Sequence, residues 1–181
     1  MLAWIQQIDW TILHWIQDSL HNNVLDFLMP AITTLGNNGA IWLAIAALLT
    51  ITKKYRLYGI AMFAALAISF FLNNTFLKPF VARPRPAWIE HVHMLIKMPK
   101  DFSFPSGHTI SSILGAYILT AANRKFGYIA IPLAIAIAFS RLYLFVHFPS
   151  DVLTSTLLGL LFGALAVWVV KKYEKQNNHN R

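Results

Sequence analysis

Apolar residues run through this chain in blocks long enough to cross a bilayer, cut by short polar or basic breaks. Residues 40–52 form the apolar part of a first block and 57–77 a second. Residues 109–122 start a third, 126–139 form a fourth and 152–170 a fifth. Several approach the ~20 residues that a helix needs to span a hydrocarbon layer of ~30 Å. Backbone groups find no water there and must pair within the segment, so the blocks are expected to be helices. Residues 1–38 follow a different pattern. Leu2, Ile5, Ile8, Ile12, Trp15, Ile16 and Leu20 recur near a helical period among polar residues, which predicts an amphipathic helix. Trp4, Trp10 and Trp15 suit a membrane–water interface. After His21-Asn22-Asn23, residues 24–35 make a second, shorter amphipathic stretch containing Pro30, closed by the turn Gly36-Asn37-Asn38-Gly39. The pattern leaves open whether residues 1–38 lie on a surface, form a re-entrant hairpin or supply a sixth span.

The fold expected is therefore all-α, a multi-pass transmembrane helical bundle of five spans behind N-terminal amphipathic helices. Three segments follow: residues 1–38, a transmembrane domain over 39–175, and a polar cytoplasmic tail over 176–181. The N-terminus does not read as a cleaved leader, since it lacks a basic start and Gln6, Gln7 and Asp9 interrupt its apolar run. The basic breaks at 53–56 and 124–125, and the tail from Lys171, alternate so as to share one side. Their Lys and Arg excess makes that side the cytoplasm of a cell-membrane protein. Residues 78–108 and 140–151 then face the opposite side together.

Composition sharpens this picture. With 57% hydrophobic and only 12% charged residues, the chain is not a soluble globule. A net charge of +8 in a soluble protein would suggest nucleic acid. Here the cations fall in short loops and in three compact stretches, so no nucleic-acid partner is expected. The absence of cysteine excludes disulfides and thiolate metal sites.

The three stretches carry the chemistry. Lys78-Pro79-Phe80-Val81-Ala82-Arg83-Pro84-Arg85-Pro86 places three cations just beyond a span, on the side that disfavours them, within a long polar connection over 78–105. A phosphate is their natural partner, Arg presenting a planar fork and Lys a point charge. Pro105-Ser106-Gly107-His108 opens the third span. Ser106 is expected to cap that helix, Gly107 to let backbone N–H groups approach an anion, and His108 to supply a proton. Arg141, His147 and Asp151 lie where the fourth span gives way to the fifth. Ser150 is expected to be the N-cap of the fifth span, with Asp151 in its first turn. Asp151, four residues from His147, could accept one ring proton and leave the other nitrogen as a nucleophile.

Lys78, six residues, Arg85-Pro86; then Pro105-Ser106-Gly107-His108; then Ser140-Arg141, five residues, His147, three residues, Asp151: in order and spacing this resembles the three-part signature of the type 2 phosphatidic acid phosphatase (PAP2) superfamily. These are membrane lipid phosphatases that share a core fold with vanadium-dependent haloperoxidases. The resemblance implies that His147 attacks phosphorus to form a phosphohistidine, Asp151 orients it, and His108 protonates the leaving group and activates water. It implies that Lys78, Arg85, Ser106, Gly107 and Arg141 hold phosphate oxygens. Arg83 matches no position of the signature.

Glu90-His91-Val92-His93 has the look of a ligand cluster, but three nearby cations would repel a metal and the family works without one, so neither metal nor cofactor is expected. Residues 87–104 are expected to form a lid or lipid-contacting loop. The partner is then a membrane lipid substrate. Undecaprenyl diphosphate, cut to undecaprenyl phosphate, suits a small enzyme with an outward-facing site. Phosphatidylglycerophosphate and phosphatidic acid are the alternatives, and a lipid or phosphate transporter without hydrolysis is the reading from another class.

Overall fold

A computed structural model describes residues 3–179, so Met1, Leu2, Asn180 and Arg181, at the ends of the first and last expected segments, lie outside the described residues. Every regular element among the described residues is helical. Helix α1 (Ala3–Leu20) is amphipathic as expected, and its apolar stripe faces outward: Trp4, Ile8, Ile12 and Trp15 are exposed, whereas Asp9, Leu13 and Ile16 are buried. Such a stripe suits a helix lying in an interface. Trp10 departs from the interfacial reading, because its ring packs edge-on against Phe148 at 5.0 Å.

Asn22 caps α2 (Asn23–Leu35), its Oδ1 accepting from the backbone N–H groups of Val24 and Leu25. The turn that follows holds Asn38 and Gly39 at positive φ, and α3 (Ala40–Ile51) leaves it at 44° to the preceding helix. Together α2 and α3 are apolar and long enough to cross a membrane as one broken span. Residues 24–38, whose place the pattern left open, thus pass as membrane-crossing only together with α3, as half of a broken span or of a re-entrant loop.

Helix α4 (Arg56–Leu72) runs through a widened, π-helical turn at Asn73–Leu77 into α5 (Lys78–Val81). In that turn the Lys78 N–H reaches back to Asn73 O, directly before Pro79, which has no N–H to place. The helix therefore continues past residue 78, where a polar connection was expected to begin. It stops at Ala82, which adopts a left-handed conformation. A short α6 (Pro86–Ile89) follows, then an irregular stretch to α7 (Gly107–Ala122), α8 (Arg124–Tyr143) and α9 (Pro149–His179).

Helix α7 is the centre of the bundle, packed by α4, α8 and α9. Leu114 and Ile118 join Trp42, Met62 and Ile137 in the main core. Gly115 permits the closest of these approaches, since a Cβ there would lie 2.4 Å from the Trp42 ring. Trp42 satisfies its one polar atom by donating Nε1–H to Ser112 Oγ at 3.0 Å.

Among the described residues three helices are long and apolar enough to cross a membrane, Lys53–Val81, Arg124–Tyr143 and Pro149–Asn177, or four with the bent pair. The count of five expected from the blocks is not reached by length and apolarity. Helix α7, at 16 residues, is the shortfall. Its first turn is polar, Ser111 borders the site cavity and Ser112 is buried against Trp42 of α3.

Candidate active site

Three helix junctions meet at one end of the bundle. The α5 end brings Lys78 and, through the proline-stiffened segment 82–86, Arg83 and Arg85. The start of α7 brings His108. The α8–α9 turn brings Arg141, His147 and Asp151. They converge on a cavity of about 920 Å³ lined by Lys78, Arg85, Gly107, His108, Arg141 and His147 among others. Ser106 and Asp151, the remaining two candidates, are fully buried outside that lining. Ser106 is the N-cap of α7 as expected, its Oγ accepting from the Thr109 N–H, while its own N–H donates to Ser155 Oγ at 2.7 Å.

Ser150 does not cap α9. The helix begins one residue earlier, at Pro149, a favoured first position because its missing N–H would be unpaired there anyway. Capping falls to Asp151, whose Oδ2 reaches back to the Phe148 N–H at 2.9 Å. Ser150 instead donates its N–H to Asp9 Oδ1 at 2.8 Å.

Arg85 is the most heavily bonded cation of the site. Its Nε donates to Asp101 O at 2.7 Å, Nη1 to Val146 O at 2.6 Å and His147 Nε2 at 3.1 Å, and Nη2 to Asp101 Oδ1 at 2.8 Å. A guanidinium only donates, so Nε2 of His147 is the accepting nitrogen and the ring proton sits on Nδ1. That Nδ1 lies 3.7 Å from Asp151 Oδ2, too far for a direct hydrogen bond, and 3.4 Å from Ser103 Oγ. Ser103 in turn donates to Asp151 Oδ2 at 2.5 Å. Asp151 therefore reaches His147 chiefly through Ser103. Burial first, then the charges of Arg85, Arg141 and Lys78 and the neighbouring His108, push the His147 pKa well below its ordinary 6.5. The ring is neutral at physiological pH, with a lone pair at Nε2 beside cations.

Asp101 occupies the cations, pairing with Lys78 Nζ and Arg85. Burial would raise its pKa, but Lys78 and Arg85 outweigh that and hold it at about 2, so it stays anionic at any working pH. Arg141 donates to Thr33 Oγ1 on α2 and keeps a buried Nε with no protein partner. His108 Nε2 lies 3.0 Å from Asn37 Oδ1, in the α2–α3 turn. Glu90 is drawn to His14 Nε2 at 2.8 Å, and among the described residues no three His, Cys, Asp or Glu side chains gather as a ligand set. The loop carrying His91 and His93 is packed rather than free-standing, with Met94, Leu95 and Ile96 against the Tyr143 cluster. Its Lys97, Met98 and Pro99 border the cavity.

Sequence reading passed over Asp9, Ser103, Asp101 and Asn37. A signal existed for two of them. Asp9 shares a helical face with Leu13 and Ile16, spacing that puts a carboxylate on a buried stripe. Asp101 is an acid set among Lys97, Lys100 and the motif cations.

Away from the cations the cavity wall is apolar, formed by Leu43, Phe63, Leu66, Ala67 and Phe70 of α3 and α4. What such a cavity receives is an amphiphile with an anionic end, and the class of protein it defines is a membrane enzyme acting on lipid phosphates. Residues 54–175 match the PAP2 superfamily. The undecaprenyl-diphosphatase BcrC of Bacillus subtilis (strain 168) is 32% identical over 151 residues, 81% of this chain and 76% of that protein. An undecaprenyl-diphosphatase of Sulfolobus acidocaldarius is 32% identical over 142 residues, 75% of this chain and 68% of that one. The solved structure of a transmembrane PAP2-type phosphatidylglycerolphosphate phosphatase from Bacillus subtilis superposes with a TM-score of 0.75 at 27% identity, over 97% of this chain and 89% of that one. The chain belongs to the PAP2 superfamily and is a membrane lipid phosphatase.

Proposed function

We propose that the protein hydrolyses undecaprenyl diphosphate to undecaprenyl phosphate and inorganic phosphate through a phosphohistidine on His147. The observation that carries the reaction is the neutral Nε2 of His147 held among Lys78, Arg85 and Arg141 at the polar end of an apolar-walled cavity. The substrate is supported by the two relatives named undecaprenyl-diphosphatase. Phosphatidylglycerophosphate is the second reading, favoured by the likeness over nearly the whole chain to the phosphatase solved from Bacillus subtilis.

In the first step Nε2 bonds to the terminal phosphorus as the bridging P–O bond breaks, and His108 gives its proton to the leaving lipid phosphate. In the second, water attacks the phosphohistidine, His108 takes a proton from it, and the P–N bond breaks to release phosphate. Lys78, Arg85 and Arg141 hold the oxygens on which charge spreads, displacing the Asp101 carboxylate; such positioning and charge stabilisation is most of what phosphoryl transfer requires. Gly107 lines the space where oxygens sit, and Ser106 anchors the turn that presents it. These cations supply the charge that a metal would, and neither metal nor cofactor takes part.

The bundle crosses the cell membrane five times: the bent α2–α3 pair, the α4 helix, α7 sheathed by its neighbours, α8 and α9. The basic residues 53–56, 124–125 and 171–175 then lie in the cytoplasm with the C-terminus, and the site faces outward. Residues 1–38 are the amphipathic N-terminal segment, whose second helix supplies the first half of the bent pair; 39–175 form the phosphatase domain and 176–181 a polar tail.

A phosphate-release panel on purified protein tests this reading. Undecaprenyl diphosphate is expected to be turned over with a higher kcat/KM than phosphatidylglycerophosphate or phosphatidic acid, with activity retained in EDTA and inhibited by vanadate. Preference for either glycerolipid would reassign the substrate, and activity lost to EDTA and restored by zinc or magnesium would overturn the metal-free mechanism.

A pH profile gives a second check. Attack needs the unprotonated His147 ring and departure of the leaving group needs the protonated His108, so the profile has two limbs, and the acid one is set by the lowered His147 pKa. The acid limb of kcat/KM is expected below pH 6.5, the ordinary histidine value. A limb at or above that value would mean that another group controls the step.

A further inference from the structure

Arg83 fits no position of the family signature, yet it is as buried as the residues that do. Its Nη1 donates to Asp151 Oδ1 and, at 2.8 Å, to Ser150 Oγ. Its Nη2 donates to Asp9 Oδ2 at 2.6 Å and Gln6 Oε1 at 2.9 Å, and its guanidinium lies 3.9 Å over the Phe148 ring. Asp9 also accepts the Ser150 N–H at 2.8 Å and the Ser150 hydroxyl at 2.6 Å. Neither Arg83 nor Asp9 lines the cavity, so neither touches the phosphate.

We propose that Arg83 and Asp9 are positioning residues, and that helix α1 is through them part of the catalytic machinery. Arg83 occupies Oδ1 of Asp151, which leaves Oδ2 to face Ser103 and, beyond it, His147. Asp9 has a separate task. When Nε2 bonds to phosphorus the imidazole acquires positive charge, and a nearby negative charge favours that state. Arg83 paired with Asp151 alone would form a neutral unit with little left to offer the ring. Asp9 shares the guanidinium, so the trio of two carboxylates and one cation keeps one net negative charge behind His147. Buried charges of this kind persist when they are paired, and here each carboxylate is paired with one Nη of the guanidinium, whose buried Nε alone has no partner among the described residues. Asp9 further ties the first turn of α9, and hence Asp151, to α1 through Ser150.

The inference rests on His147 being the nucleophile, so its test carries a control for that. Asp9→Asn keeps the shape of the side chain and removes its charge. It is expected to lower kcat roughly 10- to 100-fold, the scale on which small displacements of a reacting group are felt. KM and inhibition by inorganic phosphate should stay at parental values, because Lys78, Arg85 and Arg141 are untouched. Gln6→Ala removes a neutral bond to the same guanidinium and should cost less kcat than Asp9→Asn. The proposal is overturned if Asp9→Asn keeps the parental kcat. It is equally overturned if its kcat loss is matched by lost phosphate affinity, or if Gln6→Ala costs as much, since either marks a merely structural tie. His147→Ala in the same assay separates the levels: inactive His147→Ala with parental Asp9→Asn defeats only the role of Asp9, while active His147→Ala defeats the reaction assigned above.

Discussion

His147→Ala is expected to stop lipid-phosphate hydrolysis while leaving the site able to bind phosphate. Loss of a nucleophile that acts with a partner unit costs on the order of 10⁴-fold in kcat or more, about 5.4 kcal/mol of transition-state stabilisation. The alanine variant keeps Lys78, Arg85 and Arg141, so inorganic phosphate should still protect it thermally and lipid should still bind. Phosphate release and phosphate-induced stabilisation, measured side by side, read the two effects separately. A carrier that binds lipid phosphate without chemistry needs cations but no nucleophile, and its behaviour would not hinge on His147. Parental turnover by the variant would sink the mechanism.

Arg85→Lys should be nearly as severe, although the charge is kept. Lysine cannot reproduce a fork that reaches Asp101, Val146 O and His147 Nε2 together. Two functions fail at once. The donor that keeps Nε2 of His147 as the accepting nitrogen is lost, and so is one bidentate hold on the transferring phosphoryl group. Removing a single preorganised donor of this kind lowers kcat by about 10²- to 10³-fold. KM should rise as well, because Arg85 also anchors the 101–102 backbone beside the cavity. Steady-state kinetics check this; a change confined to KM would mean that Arg85 holds substrate and transition state equally and adds nothing to the chemical step.

Much of the site was legible because its residues announce themselves by type and spacing. Ionisable groups at the ends of apolar blocks are costly in a membrane, and Lys78, Arg85, His108, Arg141, His147 and Asp151 stand at such ends. Their shared face followed from the alternation of basic loops. What could not be read is what depends on pairing across the chain. Arg83 meets Asp151 and Asp9 from 68 and 74 residues away, and no local pattern records either contact. Ser150 shows the limit at shorter range. It has the right identity for an N-cap, but Pro149 starts the helix one residue earlier and Asp151 takes over the capping bond. The α7 helix shows another limit. The apolar block 109–122 reads as a span, but its helix has only 16 residues, opens on a polar turn and buries Ser111 and Ser112, so it does not qualify as membrane-crossing by length and apolarity. The extension of α4 through Lys78 depended on a widened turn that no periodicity signals.

The central claim is a covalent intermediate on His147 during attack on a lipid diphosphate. The stereochemical course at phosphorus tests it most directly, using a substrate whose terminal phosphoryl group is made chiral with sulfur and oxygen isotopes. Transfer to His147 and then to water inverts the centre twice, so the released thiophosphate should show net retention. Net inversion would mean that water attacks the lipid diphosphate directly, and would contradict the account.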